Sequence, residues 1–205
     1  MLNISILQED ESYTFRSYFE MPYEPDDILA QFGYQLEIVE LELPTAPSPP
    51  QIQTLKNRIR QSLPLVSLSS ETARRELLVA PILTEVALHC RVPLRLEYPL
   101  MVSNWLKGSL DYLLRGENTL LVVEAEKDDL TRGFVQMAVE MIALAHVENR
   151  PQIYGAITTG SIWQFGTLVV KEQYIQQGLT LYRVPEELET IAGILTGIVG
   201  RNASK

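Results

Sequence analysis

Gly108-Ser-Leu-Asp111-Tyr-Leu-Leu-Arg-Gly116-Glu117-Asn118-Thr-Leu-Leu-Val-Val-Glu124-Ala-Glu126-Lys127 is the stretch from which the fold is read. Residues 109–114 alternate around Asp111, and 119–125 form a β-rich run. Gly116-Glu117-Asn118 is a turn signal between them, so the reading is two antiparallel strands. Strand side chains alternate faces, which puts Glu124 and Glu126 on one face and Ala125 and Lys127 on the other. A two-residue loop centred on Glu117-Asn118 sets Asp111 directly across from Glu124. A register slipped by one would send Asp111 to the opposite face.

Carboxylates gathered in this way repel one another and raise their own pKa values unless a cation stands between them. A hard divalent ion suits them. Mg²⁺ takes oxygen ligands in near-octahedral geometry, commonly one or two carboxylates, with water and substrate phosphate completing the shell. The pattern therefore points to phosphoryl chemistry.

An Asp on one strand, (Asp/Glu)-x-Lys on the next and a following helix with a Gln resemble the PD-(D/E)XK nuclease superfamily. Glu71-Thr-Ala-Arg-Arg75-Glu-Leu-Leu-Val-Ala-Pro81 is similar to the first helix of the type I restriction-subunit nuclease domain. Tyr154-Gly-Ala-Ile-Thr158-Thr-Gly160-Ser-Ile-Trp163 resembles the Thr-(Asn/Asp)-Gly…Trp hairpin of the same relatives. The likeness covers roughly residues 70 to 170, and the whole chain resembles a group of cyanobacterial proteins. It implies an α/β restriction-endonuclease-like sandwich, with a mixed, mainly antiparallel central sheet flanked by helices. It also implies metal-dependent hydrolysis of nucleic-acid phosphodiesters, DNA ahead of RNA, with Mg²⁺ or Mn²⁺.

On that resemblance Asp111 and Glu124 hold the metal, joined by Glu71 from the first helix. The family's Lys position is Glu126 here, which serves as a further ligand or as a base for the attacking water. Lys127, displaced by one, supplies the positive charge only if the strand bulges. Gln136 positions substrate or water. The displaced Lys leaves a second reading open, a nuclease-fold binding or assembly module without catalysis.

Composition sets the outer limits. At 205 residues, with 46% hydrophobic and 21% charged, the chain suits one globular domain with a substantial core. A net charge of −9 argues against broad nonspecific nucleic-acid binding, which draws its affinity from Lys and Arg, though a local basic groove stays open. Cys90 is the only cysteine, so no intrachain disulfide forms; with only His89 and His146 beside it, no zinc site is expected. The N-terminus has no basic signal-peptide region, and no apolar run approaches about 20 residues, so a cytoplasmic protein without a membrane anchor is expected.

Along the chain, residues 2–7 and 12–19 read as strands, a short helix follows Pro25 and ends at Gly33, and Tyr34–Leu43 reads as a strand with an acidic face. The aromatics of this region suit either a base-stacking platform or, as the better reading, the core of a small β subdomain. Pro44-Thr-Ala-Pro-Ser-Pro-Pro50 is the clearest linker, giving an N-terminal β-rich extension over 1–50 and a nuclease-like domain over 51–205.

A helix over about 51–62 carries Lys56, Arg58 and Arg60, read as a solvated face or a phosphate contact. Ser69-Ser70 caps a helix to about Cys90, on which Leu78, Ile82 and Val86 form a packing stripe; Glu71 there either reaches the metal or simply suits the helix dipole. Leu94–Val102 is a strand. Asp128-Asp129 caps a helix over about 130–148 that buries Phe134, Met137, Met141, Leu144 and Ala145. Its Arg132, Gln136 and Glu140 form a polar stripe, lining the site or merely solvated. Residues 152–158 and 162–170 form a second hairpin, and Leu188, Ile191, Leu195 and Ile198 define a C-terminal amphipathic helix. That helix suits a homodimer contact or the closing of the core.

Overall fold

The computed structural model describes residues 6–116, 120–125 and 129–200, with the backbone alone for 120–125. The elements are α1 (Phe15–Glu20), α2 (Pro25–Ala30), β1 (Gln35–Val39), α3 (Ile52–Ser62), α4 (Glu71–Arg74), a π turn (Arg75–Val79), α5 (Ala80–Cys90), β2 (Leu94–Met101), β3 (Lys107–Arg115), β4 (Leu120–Ala125), α6 (Leu130–Glu148), β5 (Gln152–Thr158), β6 (Ile162–Val169), β7 (Tyr174–Arg183) and α7 (Leu188–Val199).

Among the described residues, seven strands make one mixed sheet in the order β1-β7-β6-β5-β4-β3-β2. The pairs β1/β7 and β4/β5 are parallel and the other four are antiparallel, so the fold is mixed α/β with a mainly antiparallel sheet. Alternation along β5 and β6 shows why helices must cover both faces. Ile153, Ile157 and Leu168 point into a core shared with α1, α2 and α6, whereas Tyr154, Ala156, Trp163 and Phe165 point into one shared with α3, α5 and α7. Each fully buried large apolar side chain contributes about 1.5–3 kcal/mol.

The helix α6 is apolar nearly all round, and every residue from Gly133 to Leu144 is buried. Asp129 caps it by accepting the Arg132 N–H, and Asn149 ends it in the left-handed conformation. It lies close to the sheet because Gly155 and Gly166 present no Cβ to Met137, Met141 and Phe134. The Leu188, Ile191, Leu195 and Ile198 stripe of α7 is buried in the second core.

The expectations for the N-terminal region need correction. Residues 12–19 are not a strand: α1 forms instead, because Phe15 and Tyr18 at i, i+3 both reach the core, and Thr14 and Ser17 make a capping box. The segment 2–7 is not a strand over its described residues, Ile6 and Leu7, which are simply buried. Among its described residues the N-terminal region is thus two short helices and the strand β1, which pairs with β7 at the sheet edge, and not a β-rich unit.

Lys56 is buried rather than solvated. Its Nζ lies 2.5 Å from Glu189 Oε2 and donates to the Glu186 carbonyl at 2.8 Å. Pro44–Pro50 has no regular structure, as its prolines dictate, yet it lies against α7, where the Ala46 N–H donates to the Gly193 carbonyl at 3.0 Å. The strand β7 was not anticipated. No helix among the described residues is long and apolar enough to cross a membrane.

Candidate metal and phosphate site

The β3/β4 register agrees with the two-residue loop inferred from the sequence. Tyr112 pairs with Val123 and Arg115 with Leu120, a register that, continued by one position, would set the backbone of Glu124 opposite Asp111. The side chain of Glu124, and Glu126 and Lys127 altogether, lie outside the described residues.

Asp111 sits where the sheet changes phase. Leu110 and Leu113 face the α6 core, whereas Tyr112 and Leu114 face the α5/α7 core, so inward and outward positions exchange at Asp111. The neighbouring strand changes phase at the same level. Glu97 has φ of 49° and drops out of the β2/β3 ladder between the Leu96/Tyr112 and Tyr98/Leu110 pairs. Positive φ is costly for a residue other than glycine, and such positions cluster at functional sites.

The phase change gathers charge on one cation. Arg75 Nη1 lies 3.4 Å from Asp111 Oδ1 and 3.8 Å from Glu71 Oε1, and Nη2 lies 2.5 Å from Glu97 Oε1. Its guanidinium also stands 5.3 Å from the centroid of the Tyr112 ring. Asp111 is the inner carboxylate, its side chain 17% exposed against 60% for Glu97. Burial opposes the Arg75 charge, but Glu97, Tyr112 and Asp111 outweigh it and raise the Arg75 pKa above its usual value. Burial raises that of Tyr112.

Local sequence explains how Arg75 arrives there. Ser70 caps α4 by accepting the Ala73 N–H, and Glu71 and Arg75 stand one turn apart. Pro81 has no N–H to give to the preceding turn, and the helix passes this point through a π turn in which the Ala80 N–H reaches the Arg75 carbonyl. The second hairpin packs on the same helix. Gly160, at φ of 88°, packs closely on it: a Cβ would come within 3.1 Å of Arg74 Cβ and 3.2 Å of Leu78 Cδ1. Thr158 fixes that hairpin: its Oγ1 donates to the Ile162 carbonyl and accepts the Gly160 N–H. Trp163 is fully buried beneath it.

The structure therefore brings Glu71 and Asp111 together on Arg75, and β3 pairs with β4 as far as Tyr112 and Val123, one position short of Asp111 and Glu124. Gln136 stands with α6 on the other face of the sheet, where its Nε2 donates to Glu140 Oε1 at 3.2 Å; both residues are buried, so these two members of the stripe are not solvated. Among the described residues, no group of three or more His, Cys, Asp or Glu side chains is disposed to hold a metal. The donor chemistry of Asp111 and Glu71, two carboxylates around one positive charge, still fits a hard cation.

Sequence reasoning passed over Arg75, Glu97 and Tyr112. The Glu71/Arg75 spacing of i, i+4 was a usable signal for the first, whereas nothing in Leu94–Met101 announces the left-handed Glu97. A basic cavity of about 500 Å³ also exists, lined by Arg91, Arg115 and Arg150 with Glu148, at the far end of β3 from Lys107. Neither a protein-family model nor a curated protein matches the chain.

Proposed function

We propose that the chain is a metal-dependent nuclease of the restriction-endonuclease type that hydrolyses phosphodiesters in nucleic acid, with DNA as substrate ahead of RNA. The observation that carries this reading is the convergence of Asp111 and Glu71 on Arg75 at the phase change of β3. Asp111, Glu124 and Glu71 would hold Mg²⁺ or Mn²⁺. Held there, such an ion would supply Lewis acidity to activate water and offset phosphate charge.

The protein's own groups have separable tasks. Asp111 and Glu71 supply oxygen ligands, and Arg75 orients Asp111 and balances the cluster. Glu126 would ligate the ion or take a proton from the water, and Lys127 would add positive charge only if the strand bulges, whereas Gln136, buried against Glu140 on the other face of the sheet, takes no part. A second reading, a nuclease-fold binding or assembly module without catalysis, is favoured by one observation: Arg75 already neutralises Asp111.

The deciding test is cleavage of single- and double-stranded DNA and RNA with Mg²⁺ or Mn²⁺, wild type against Asp111→Ala. Metal-dependent cleavage lost in the variant is the expected result. A folded wild type that cleaves nothing and binds neither ion in a calorimetric titration would overturn the catalytic reading and leave the binding module.

A further inference from the structure

We propose that the open cleft where α5, α6 and β3 end is a binding site for a phosphate dianion, either inorganic phosphate or the terminal group of a phosphomonoester. The cleft is separate from the metal site, since neither Asp111 nor Glu71 lines it, so it would serve a nuclease and a binding module alike.

Two helices from opposite faces of the sheet bring its arginines together. The helix α5 ends at Cys90 and α6 at Glu148, and each is followed by a left-handed residue, Arg91 at φ of 55° and Asn149 at φ of 46°. These turns send the chain toward β2 and β5 and set Arg91 and Arg150 in one lining with Arg115, the last residue of β3. The backbone N–H of Arg115 donates to the Pro93 carbonyl at 3.2 Å, which closes the strand end on the turn between α5 and β2. The cleft measures about 500 Å³, ample for a phosphate and part of the molecule that carries it.

Charge selects the ligand. Among the described lining residues, the three guanidiniums stand against one carboxylate, Glu148, so positive charge is in excess by two. A phosphomonoester carries about −1.5 to −2 at neutral pH with three acceptor oxygens, whereas a carboxylate or a phosphodiester carries a single charge. The Cys90 thiol adds no negative charge, because burial pushes its pKa up. Glu148 is paired with Arg115 and steadies it. A guanidinium has five N–H donors in a fixed fork, so one carboxylate leaves donors for a second oxyanion.

At Arg91 binding and stability part company. Glycine is the cheapest residue in a left-handed position after a helix, and any side chain there has a cost. The Val92 N–H reaches the Ala87 carbonyl at 3.1 Å, so the backbone closes this turn without the arginine side chain. The helix dipole accounts for a cation near each C-terminus but not for the convergence of both on Arg115.

The test is isothermal titration calorimetry of inorganic phosphate into the full chain without divalent ions, at about pH 8, above the second phosphate pKa of about 6. Wild type, Arg91→Gly and Arg150→Gln are compared, with melting temperatures measured alongside. Saturable binding to the wild type is expected, weakened about tenfold or more by each substitution, as the loss of charge-assisted hydrogen bonds predicts. Arg91→Gly should keep or raise the melting temperature, because glycine suits the left-handed turn, which separates lost affinity from unfolding. Acetate, a monoanion, should bind about tenfold more weakly than phosphate or worse. Competition by a 5′-phosphorylated hexanucleotide but not by its unphosphorylated twin assigns the phosphate to the end of a nucleic-acid strand, and competition by neither assigns it to a small molecule; both uphold the site. Equal competition by the two, no saturable phosphate binding, wild-type affinity in Arg91→Gly or Arg150→Gln, or acetate bound as tightly as phosphate overturns it.

Discussion

The Arg75 guanidinium reaches Asp111 at 3.4 Å from a helix on the face of the sheet opposite α6, although Leu110 and Leu113, on either side of Asp111 in the chain, both pack toward α6. The pair exists because β2 and β3 change phase together at Glu97 and Asp111. Arg75→Met removes one cation from Asp111, Glu97 and Glu71 together, and the expected loss is about 1–3 kcal/mol in urea denaturation without divalent ions. If Asp111 and Glu71 are metal ligands, millimolar Mg²⁺ restores part of that loss, and more so than in wild type, where Arg75 competes. An identical deficit with and without Mg²⁺ would remove both carboxylates from the metal site.

Gln136 and Glu140 lie one turn apart on α6 and are 7% and 0% exposed. A hydrogen bond of 3.2 Å joins them away from water, where each polar group depends on its partners. A double-mutant cycle with Gln136→Ala and Glu140→Ala is expected to give a coupling of about 1–2 kcal/mol, against about 0.2–0.5 kcal/mol for a solvated i, i+4 pair. A coupling within the solvated range would mean that burial does not strengthen this pair.

Helical periodicity made the long elements legible. The acidic cap at Asp129 and the buried face of Phe134, Met137, Met141 and Leu144 located α6, and the Gly116–Asn118 break set the β3/β4 register. Short elements were not legible: Tyr13 and Phe15 alternate as in a strand, whereas Phe15 and Tyr18 share a face only in a helix, and the core they enter decides. Strand β7 carries Gln176, Gln177 and Gly178 at its centre, a poor strand signal that pairing with β6 and β1 on either side overrides. At the site, the carboxylates Asp111 and Glu71 stood out in the sequence, but their common cation did not. A phase change driven by one left-handed residue has no sequence signature at Glu97.

Lys56 shows how a basic helix face can be structural. Its Nζ satisfies both Glu189 and the Glu186 carbonyl, tying α3 to the start of α7. Lys56→Ala is expected to cost about 1–3 kcal/mol at pH 7. Burial tends to raise the Glu189 pKa, but Lys56 outweighs it and holds the carboxyl below its ordinary value of 4.5. A depressed folded-state pKa stabilises above the unfolded value, and that stability fades as pH falls through the folded one. The gap between wild type and Lys56→Ala should therefore be full above pH 4.5 and narrow below it. Parallel stability curves from pH 7 down to acid unfolding would show that the charge of Glu189 contributes nothing.

Gly197 tests whether Pro44–Pro50 is a linker or part of the packed structure. A Cβ built there would stand 2.5 Å from the Pro44 carbonyl carbon and oxygen and 2.6 Å from Thr45 Cα, all backbone atoms that no rotamer change can move. At Gly155 the same atom meets only the flexible ends of Met137 and Met141, 2.7 and 2.8 Å from their sulfurs. Gly197→Ala should consequently destabilise by about 1–3 kcal/mol or more, as overpacking does, and Gly155→Ala by less, despite its deeper position in the sheet. Displacement of the segment also breaks the Ala46 to Gly193 hydrogen bond, so limited proteolysis should cut near residues 44–50 faster in Gly197→Ala than in Gly155→Ala. Equal cleavage rates, with equal melting temperatures, would mean that the proline segment is held elsewhere and that its seat on α7 adds no stability.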